Sequence, residues 1–156
     1  MKISVFVVII LLNLNAKVIA SEIVGFSVIT DGDTIKISNS RIRLHGIDAP
    51  EKNQKCERNT KEYNCGTVAT RALIKKIKKN IVKCKVQKSK DRYNRFIGVC
   101  FAGKKNLNKW MVRNGYAVAY RRYSKDYILD EEFAKKNKLG LWSGTFLKPE
   151  KWRKLN

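Results

Sequence analysis

Histidine is almost missing from this chain: His45 stands alone among 156 residues. That excludes metal sites built from several imidazoles, and it argues against a Ser-His or Cys-His nucleophile pair. Acids are scarce as well, 13 against 34 lysines and arginines, for a formal net charge of +21. The four cysteines form no C-x-x-C and no Cys/His cluster, which excludes the usual zinc frameworks. No apolar run reaches the roughly 20 residues that a membrane-spanning helix needs. Internal repeats and dividing linkers are also lacking, so one domain is expected. Hydrophobic residues at 44% and aromatics at 10% are enough for a core, which excludes a disordered basic tail.

What is present begins with charge. Such a cation excess implies a polyanionic partner: nucleic acid, anionic membrane or acidic polysaccharide. Met1-Lys2, the apolar stretch Ile3 to Leu12, and Val18-Ile19-Ala20 have the pattern of a secretory leader over residues 1–20, cleaved before Ser21. The product is then exported, periplasmic or extracellular, with no stable membrane insertion. Residues 21–147 form the domain, and residues 148–156 read as a loosely held basic tail. All four cysteines lie in the exported part, and an even count there reads as two disulfides. Three pairings exist. Cys56–Cys65 would close a short loop and Cys84–Cys100 would join two strands, and this pairing is the one expected.

Strand signals come first along the chain. Glu22 to Thr30, Thr34 to Ile37 and Ile42 to Ile47 form a meander, with Asp31-Gly32-Asp33 and Ser38-Asn39-Ser40 as its turns. Residues 51–65 are polar and read as a loop. Residues 67–79 are helical, with Ala69, Leu73, Ile74 and Ile77 on one face. Ile81 to Val86 and Phe96 to Phe101 are the fourth and fifth strands. Asn106 to Arg113 and Tyr127 to Lys138 are further helices, ended by Gly115 and Gly140. The expected fold class is α+β, mainly β: a five-stranded OB-type Greek-key barrel with three α-helices.

The few acids are concentrated. Asp31, Asp33, Asp48 and Glu51 fall within twenty-one positions, beside Arg41 and Arg43. Such clustering either balances charge locally or builds a hard-cation site, and calcium takes carboxylate and carbonyl oxygens. Asp33, Asp48 and the Ala49 carbonyl are the candidate ligands; Asp31 reads as a turn cap. Arg43 and Arg95 come from different elements and could grip one phosphate, because a guanidinium donates two parallel hydrogen bonds. Glu51 could orient or deprotonate the attacking water.

These segments, V-I-T-D-G-D-T-I-K-I and R-I-R-L-H-G-I-D-A-P-E within 28–51, D-R-Y-N-R at 91–95 and N-G-Y-A-V-A-Y at 114–120, together resemble the staphylococcal nuclease (thermonuclease) family. The similarity covers roughly residues 22–145 and is nearest to exported bacterial members with extra cysteines. The resemblance implies Asp33, Asp48 and the Ala49 carbonyl as Ca2+ ligands, although the family often has threonine at position 49. It implies Glu51, Arg43 and Arg95 as catalytic, and Arg92, Tyr93 and Tyr120 as substrate-binding. Asn94 replaces the family's usual glycine, and asparagine tolerates the left-handed backbone. The implied activity is calcium-dependent hydrolysis of DNA and RNA leaving 3′-phosphate ends, by a monomer.

Other readings stand beside these. The fold could serve a non-catalytic nucleic-acid-binding OB module, though such a binder has no need of the full set of acids and arginines. A membrane-active protein is disfavoured because the exported part has no long basic amphipathic helix. His45 reads as structural, the lysines of 75–79 as a solvated face, and Trp110 and Trp142 as core. Arg121 and Arg122 stand as candidate substrate contacts.

Overall fold

The computed structural model describes residues 21–156; the expected leader, residues 1–20, lies outside them. Ten of its eleven strands precede the second helix. They are β1 (Ser21–Gly25), β2 (Ser27–Ile29), β3 (Thr34–Ile37), β4 (Ser40–Leu44), β5 (Ile47–Asp48), β6 (Lys55–Arg58), β7 (Lys61–Asn64), β8 (Val82–Lys90), β9 (Phe96–Ala102) and β10 (Lys105–Asn106), with α1 (Cys65–Ile77) between β7 and β8. Then follow α2 (Leu107–Arg113), β11 (Val118–Ala119), α3 (Ile128–Lys136), a 3-10 turn (Gly140–Ser143) and α4 (Pro149–Leu155).

The main sheet runs β1-β8-β9-β4-β3-β2. Its pairs are antiparallel except β4 with β9. Its two outermost strands, β1 and β2, are consecutive in the chain and separated only by Phe26. A single bent segment therefore joins the two edges of the sheet and curls it into the OB-type barrel. Counting β1 and β2 as one bent strand recovers the five strands expected from the sequence.

Period-two alternation produces the inward face. Ile35, Ile37, Ile42, Leu44, Val82, Cys84, Val86 and Cys100 are all buried. Against it pack Ala69, Leu73 and Ile77 of α1 and Leu107, Met111 and Val112 of α2. The α1 face differs from expectation in one residue: Ile74 is exposed, and Cys65 takes its place in a row at 65, 69, 73 and 77. Asn64 caps this helix, its side chain accepting from the Thr67 N–H at 2.9 Å.

Both expected disulfides form. Cys84 and Cys100 are register partners on β8 and β9, and Cys56–Cys65 ties β6 to the start of α1. In the chain-entropy view each loop closure contributes about 3 kcal/mol.

Two expectations are corrected. Residues 51–65 are not simply loop, because β6 and β7 form a hairpin. Residues 148–156 are not a loose tail, because α4 starts on Pro149, whose ring suits the first helical position. One remote pairing links the two segments: Glu57 of β6 exchanges two backbone hydrogen bonds of 2.9 Å with Thr145. A second small core of Cys56, Cys65, Val118 and Leu141, with Tyr63, Trp142 and Phe146 around it, lies under this junction.

Glu131 of α3 locks β11. It is 1% exposed, accepts from the Ala119 N–H at 3.0 Å, and pairs with Arg121 at 2.7 Å and Lys135 at 2.9 Å. Burial pushes its carboxyl up, but the hydrogen bonds from Lys135, Arg121 and Ala119 outweigh burial and hold it below the ordinary 4.5. A carboxyl held down contributes stability above that ordinary value, and this is lost as pH falls through the folded value. Glu131→Gln should therefore cost about 1.5–3 kcal/mol at neutral pH. The gap to the parent should narrow on acidification below about pH 4, as read by urea unfolding at both pH values.

Candidate active site

The turn between β2 and β3 places the first acid. Asp31 accepts the Asp33 N–H at 3.0 Å, the turn-capping role expected for it. Burial and the neighbouring Asp33 push the Asp31 carboxyl up to about 6. Gly32 is required at the bend, since a Cβ there would lie 2.7 Å from the Ala49 Cβ. This close approach brings the β5 end to Asp33, whose Oδ2 accepts the Ala49 N–H at 2.8 Å.

Arg43 joins the two buried acids. On β4 it stands opposite Thr34 of β3, next to Asp33. Its Nη1 lies 2.5 Å from Asp33 Oδ2, and its Nη2 donates to Asp48 Oδ1 at 3.1 Å. Asp48 is 1% exposed. Burial pushes its carboxyl up, and the hydrogen bond from Arg153 is the main pull the other way. Burial works against the Arg43 charge, but Asp33 and Asp48 hold the guanidinium above its ordinary value.

Arg95 enters through a hydroxyl. Its Nη1 donates to Thr34 Oγ1 at 3.3 Å, and Thr34 Oγ1 donates to Asp33 Oδ1 at 3.2 Å. Its Nε and Nη2 hold Asp91 Oδ2 at 2.9 and 2.8 Å. The other Asp91 oxygen accepts the N–H groups of Tyr93 and Arg95, closing the turn that aims Arg95. Asn94 adopts φ +59° in this turn, the left-handed conformation expected of it. Tyr93 is exposed, with the guanidinium carbons of Arg92 and Arg95 at 4.8 and 5.2 Å from its ring centre. That combination offers a stacking face for a base beside cations for its phosphate.

Glu51 and Tyr120 border the acids. Gln54, fully buried, accepts the Glu51 N–H at 3.2 Å and donates to the Leu147 carbonyl at 2.7 Å. A Cβ at Gly66 would lie 1.8 Å from the Glu51 carbonyl oxygen, so only glycine lets α1 begin here. The Tyr120 N–H donates to the Gly46 carbonyl at 2.9 Å. Burial, followed by the nearby Asp48 and Glu150 charges, raises its phenol above the ordinary 10.

Arg153 was missed in the sequence. From α4 it donates to both Asp48 oxygens, at 2.9 and 3.1 Å, and to Glu51 Oε1 at 2.8 Å. Pro149-Glu150 followed by Arg153-Lys154 was a legible helix signal, an N1 proline and first-turn acid before last-turn cations. Its destination was not legible. Five of the expected site residues, Asp33, Arg43, Asp48, Glu51 and Arg95, thus join one chain of contacts that Asp91, Thr34 and Arg153 complete.

Other candidates lie outside that chain. Arg121 pairs with Glu131, and Arg122 lies 3.7 Å from Glu150. His45 contributes its backbone, which bonds to Gly98 and to the Asn108 side chain. Trp110 packs on Tyr116 and Trp142 on Phe146, as core residues.

Oxygen donors from Asp33, Asp48 and Glu51 suit a hard divalent cation. Among the described residues, however, no group of three or more His, Cys, Asp or Glu side chains stands at metal-holding spacing. Guanidinium groups hold these carboxylates instead. The donor chemistry fits the ion, and at Asp48 and Glu51 an ion would exchange with arginine N–H groups.

The OB-type barrel, with its buried carboxylates and arginines, agrees in fold class with the family that this chain matches. Residues 41–144 match the staphylococcal nuclease homologue family. A succinoglycan biosynthesis protein ExoI of Rhizobium meliloti is 35% identical over 79% of this chain, which spans 66% of that protein's length. An uncharacterized endonuclease of Haemophilus influenzae is 34% identical over 81% of this chain and 70% of its own. A micrococcal nuclease of Shigella flexneri is 34% identical over 81% of this chain and 77% of its own. The chain belongs to the staphylococcal nuclease family, a generally metal-dependent group whose substrate is nucleic acid. Among the described residues no helix is long and apolar enough to cross a membrane.

Gly66→Ala tests how Glu51 is positioned. The added methyl must displace the Glu51 backbone, and overpacking of this kind costs about 1–3 kcal/mol. Turnover should fall more than stability does. Gly103→Ala, whose methyl meets no atom within 4 Å but whose φ of +56° strains alanine, should lower stability by about 1–2 kcal/mol and leave turnover unchanged. Parallel nuclease assays and thermal melts check both.

Proposed function

We propose that this chain is an exported, calcium-dependent nuclease that hydrolyses phosphodiester bonds of DNA and RNA and leaves 3′-phosphate ends. The observation that carries the reading is the contact chain, in which Asp33, Arg43, Asp48 and Arg95, with Glu51 joined through Arg153, come from three separate stretches of sequence. The nuclease names of two relatives agree with it. Asp33, Asp48 and the Ala49 carbonyl would hold the ion. When bound, calcium supplies positive charge beside the phosphorus and polarises it.

Arg43 and Arg95 bind the non-bridging phosphate oxygens, where charge grows in the transition state. Glu51 orients the attacking water and takes its proton. A phosphorus–oxygen bond to the water forms as the bond to the 5′ oxygen breaks; that oxygen leaves as a hydroxyl with a proton from solvent, and the phosphate stays on the 3′ side. Arg92, Tyr93 and Tyr120 hold the nucleotide. With +21 on the chain, attraction to the backbone is sequence-blind and salt-dependent. Two disulfides and the leader pattern support an oxidising compartment, periplasmic or extracellular. The protein acts as a monomer.

Cleavage of single-stranded DNA in calcium, in magnesium and in EDTA tests the reading. Calcium should support cleavage and EDTA abolish it. Arg95→Ala should lower turnover about 10²–10³-fold, and Glu51→Gln about 10²–10⁴-fold, both with the native fold retained. Tight binding without cleavage in every metal would instead identify a non-catalytic binding module.

A further inference from the structure

We infer that α4 carries a built-in competitor for the cation: Arg153 holds Asp48, a proposed ligand, together with Glu51, the proposed water-handling carboxylate, and must swing out before a divalent ion can ligate Asp48. The inference rests on the cation reading of this site proposed above, and it concerns how that site is filled and emptied.

Asp48 has no oxygen left over. Arg153 holds both, and Arg43 shares Oδ1. Glu51 Oε1 accepts from the same Arg153 Nη1. An ion that ligates Asp48 therefore competes with the Arg153 charge and its hydrogen bonds. Deprotonation offers no alternative, since a guanidinium stays charged in proteins. The group must move.

Its two arginine partners differ in whether they can move. Arg43 projects from β4, paired on both sides within the barrel. Arg153 sits on the seven-residue helix α4. The start of that helix is pinned, with Pro149 buried and Leu147 bonded to Gln54. Past the half-buried Trp152 the helix is exposed, with Leu155 64% exposed. The other ion pairs of α4 are loose: Arg122–Glu150 at 3.7 Å and Lys154–Glu150 at 3.8 Å, both with exposed cations. Exposed pairs of this kind contribute about 0–1 kcal/mol. The Arg153 fork is thus the closest ion pair that α4 makes with the barrel side of the site. Pivoting about the Leu147–Pro149 anchor would release it without disturbing the barrel.

Pinning gives the swap its reach. Gln54 bonds both to Glu51, a target of Arg153, and to Leu147, just before the helix. The Cys56–Cys65 link and the Glu57–Thr145 pairing hold the same junction. Arg153 therefore returns to the same acids whenever the ion leaves. Closure lowers apparent ion affinity by the fraction of molecules with α4 released. It also keeps buried acids paired when divalent ions are scarce.

Calcium titration of the oxidised protein without nucleic acid tests this, by calorimetry on the parent, Arg153→Ala, Arg153→Lys and Lys154→Ala. Arg153→Ala should bind calcium about tenfold more tightly, within the usual range of coupling between two sites. Arg153→Lys, which keeps charge but loses the fork, should fall between, and Lys154→Ala should match the parent. In the parent, calcium should speed hydrogen exchange of the α4 amides. Arg153→Ala should melt lower in EDTA and gain more from calcium. Equal or weaker calcium binding by Arg153→Ala, with α4 exchange indifferent to calcium, would leave the cation site standing and overturn the competitor alone. No calcium binding by any variant would overturn the cation reading and the competitor with it.

Discussion

Two buried carboxylates can share this barrel wall only because Arg43 lies between them. Asp33 and Asp48 would repel each other strongly in a poorly solvated place. A guanidinium has two arms and satisfies both at once. Taking one partner from such a set leaves a buried charge uncompensated, at about 3–5 kcal/mol. The surrounding structure serves that arrangement. The β3–β4 register sets Thr34 opposite Arg43, the Ala49 N–H returns to Asp33, and the Thr34 hydroxyl passes the network to Arg95.

A second layer is built around the Cys56–Cys65 link. It holds the β6–β7 hairpin against the start of α1, where Gly66 lets the helix press on the Glu51 backbone. The hairpin pairs with Thr145 and so recruits the C-terminal segment to the same edge. Barrel and edge thus contribute different things. The barrel supplies Asp33, Arg43 and Asp48 on paired strands, and the edge supplies Glu51 and Arg153 on segments tied together by Gln54.

Local signals were legible where local chemistry decides. The strands β3 and β4 alternate cleanly, the Asp31-Gly32-Asp33 turn is a strong punctuator, and thirteen acids in a basic chain make any cluster visible. Asn94 was legible for the same reason, since few residues accept a left-handed turn. The α1 face was nearly so. Four-residue steps from Cys65 define it, and Ile74 falls off the row despite its apolar side chain. The β6–β7 hairpin was hidden because its residues are polar and its sheet-like partner, Thr145, is about ninety positions away. Arg153 was hidden because one arginine among many cations carries no mark of the acid it will meet.

From sequence alone came the family, by resemblance of its motifs, and the barrel strands and disulfide pairs, which follow from residue type, spacing and periodicity acting over a few positions. Tertiary structure decided which cation each carboxylate holds: Arg43 between Asp33 and Asp48, Arg95 reaching Asp33 through Thr34, and Arg153 across Asp48 and Glu51. Ion pairing is chosen by distance in the folded chain, and that distance is fixed by strand register and by a C-terminal segment that pairs far from its own neighbours.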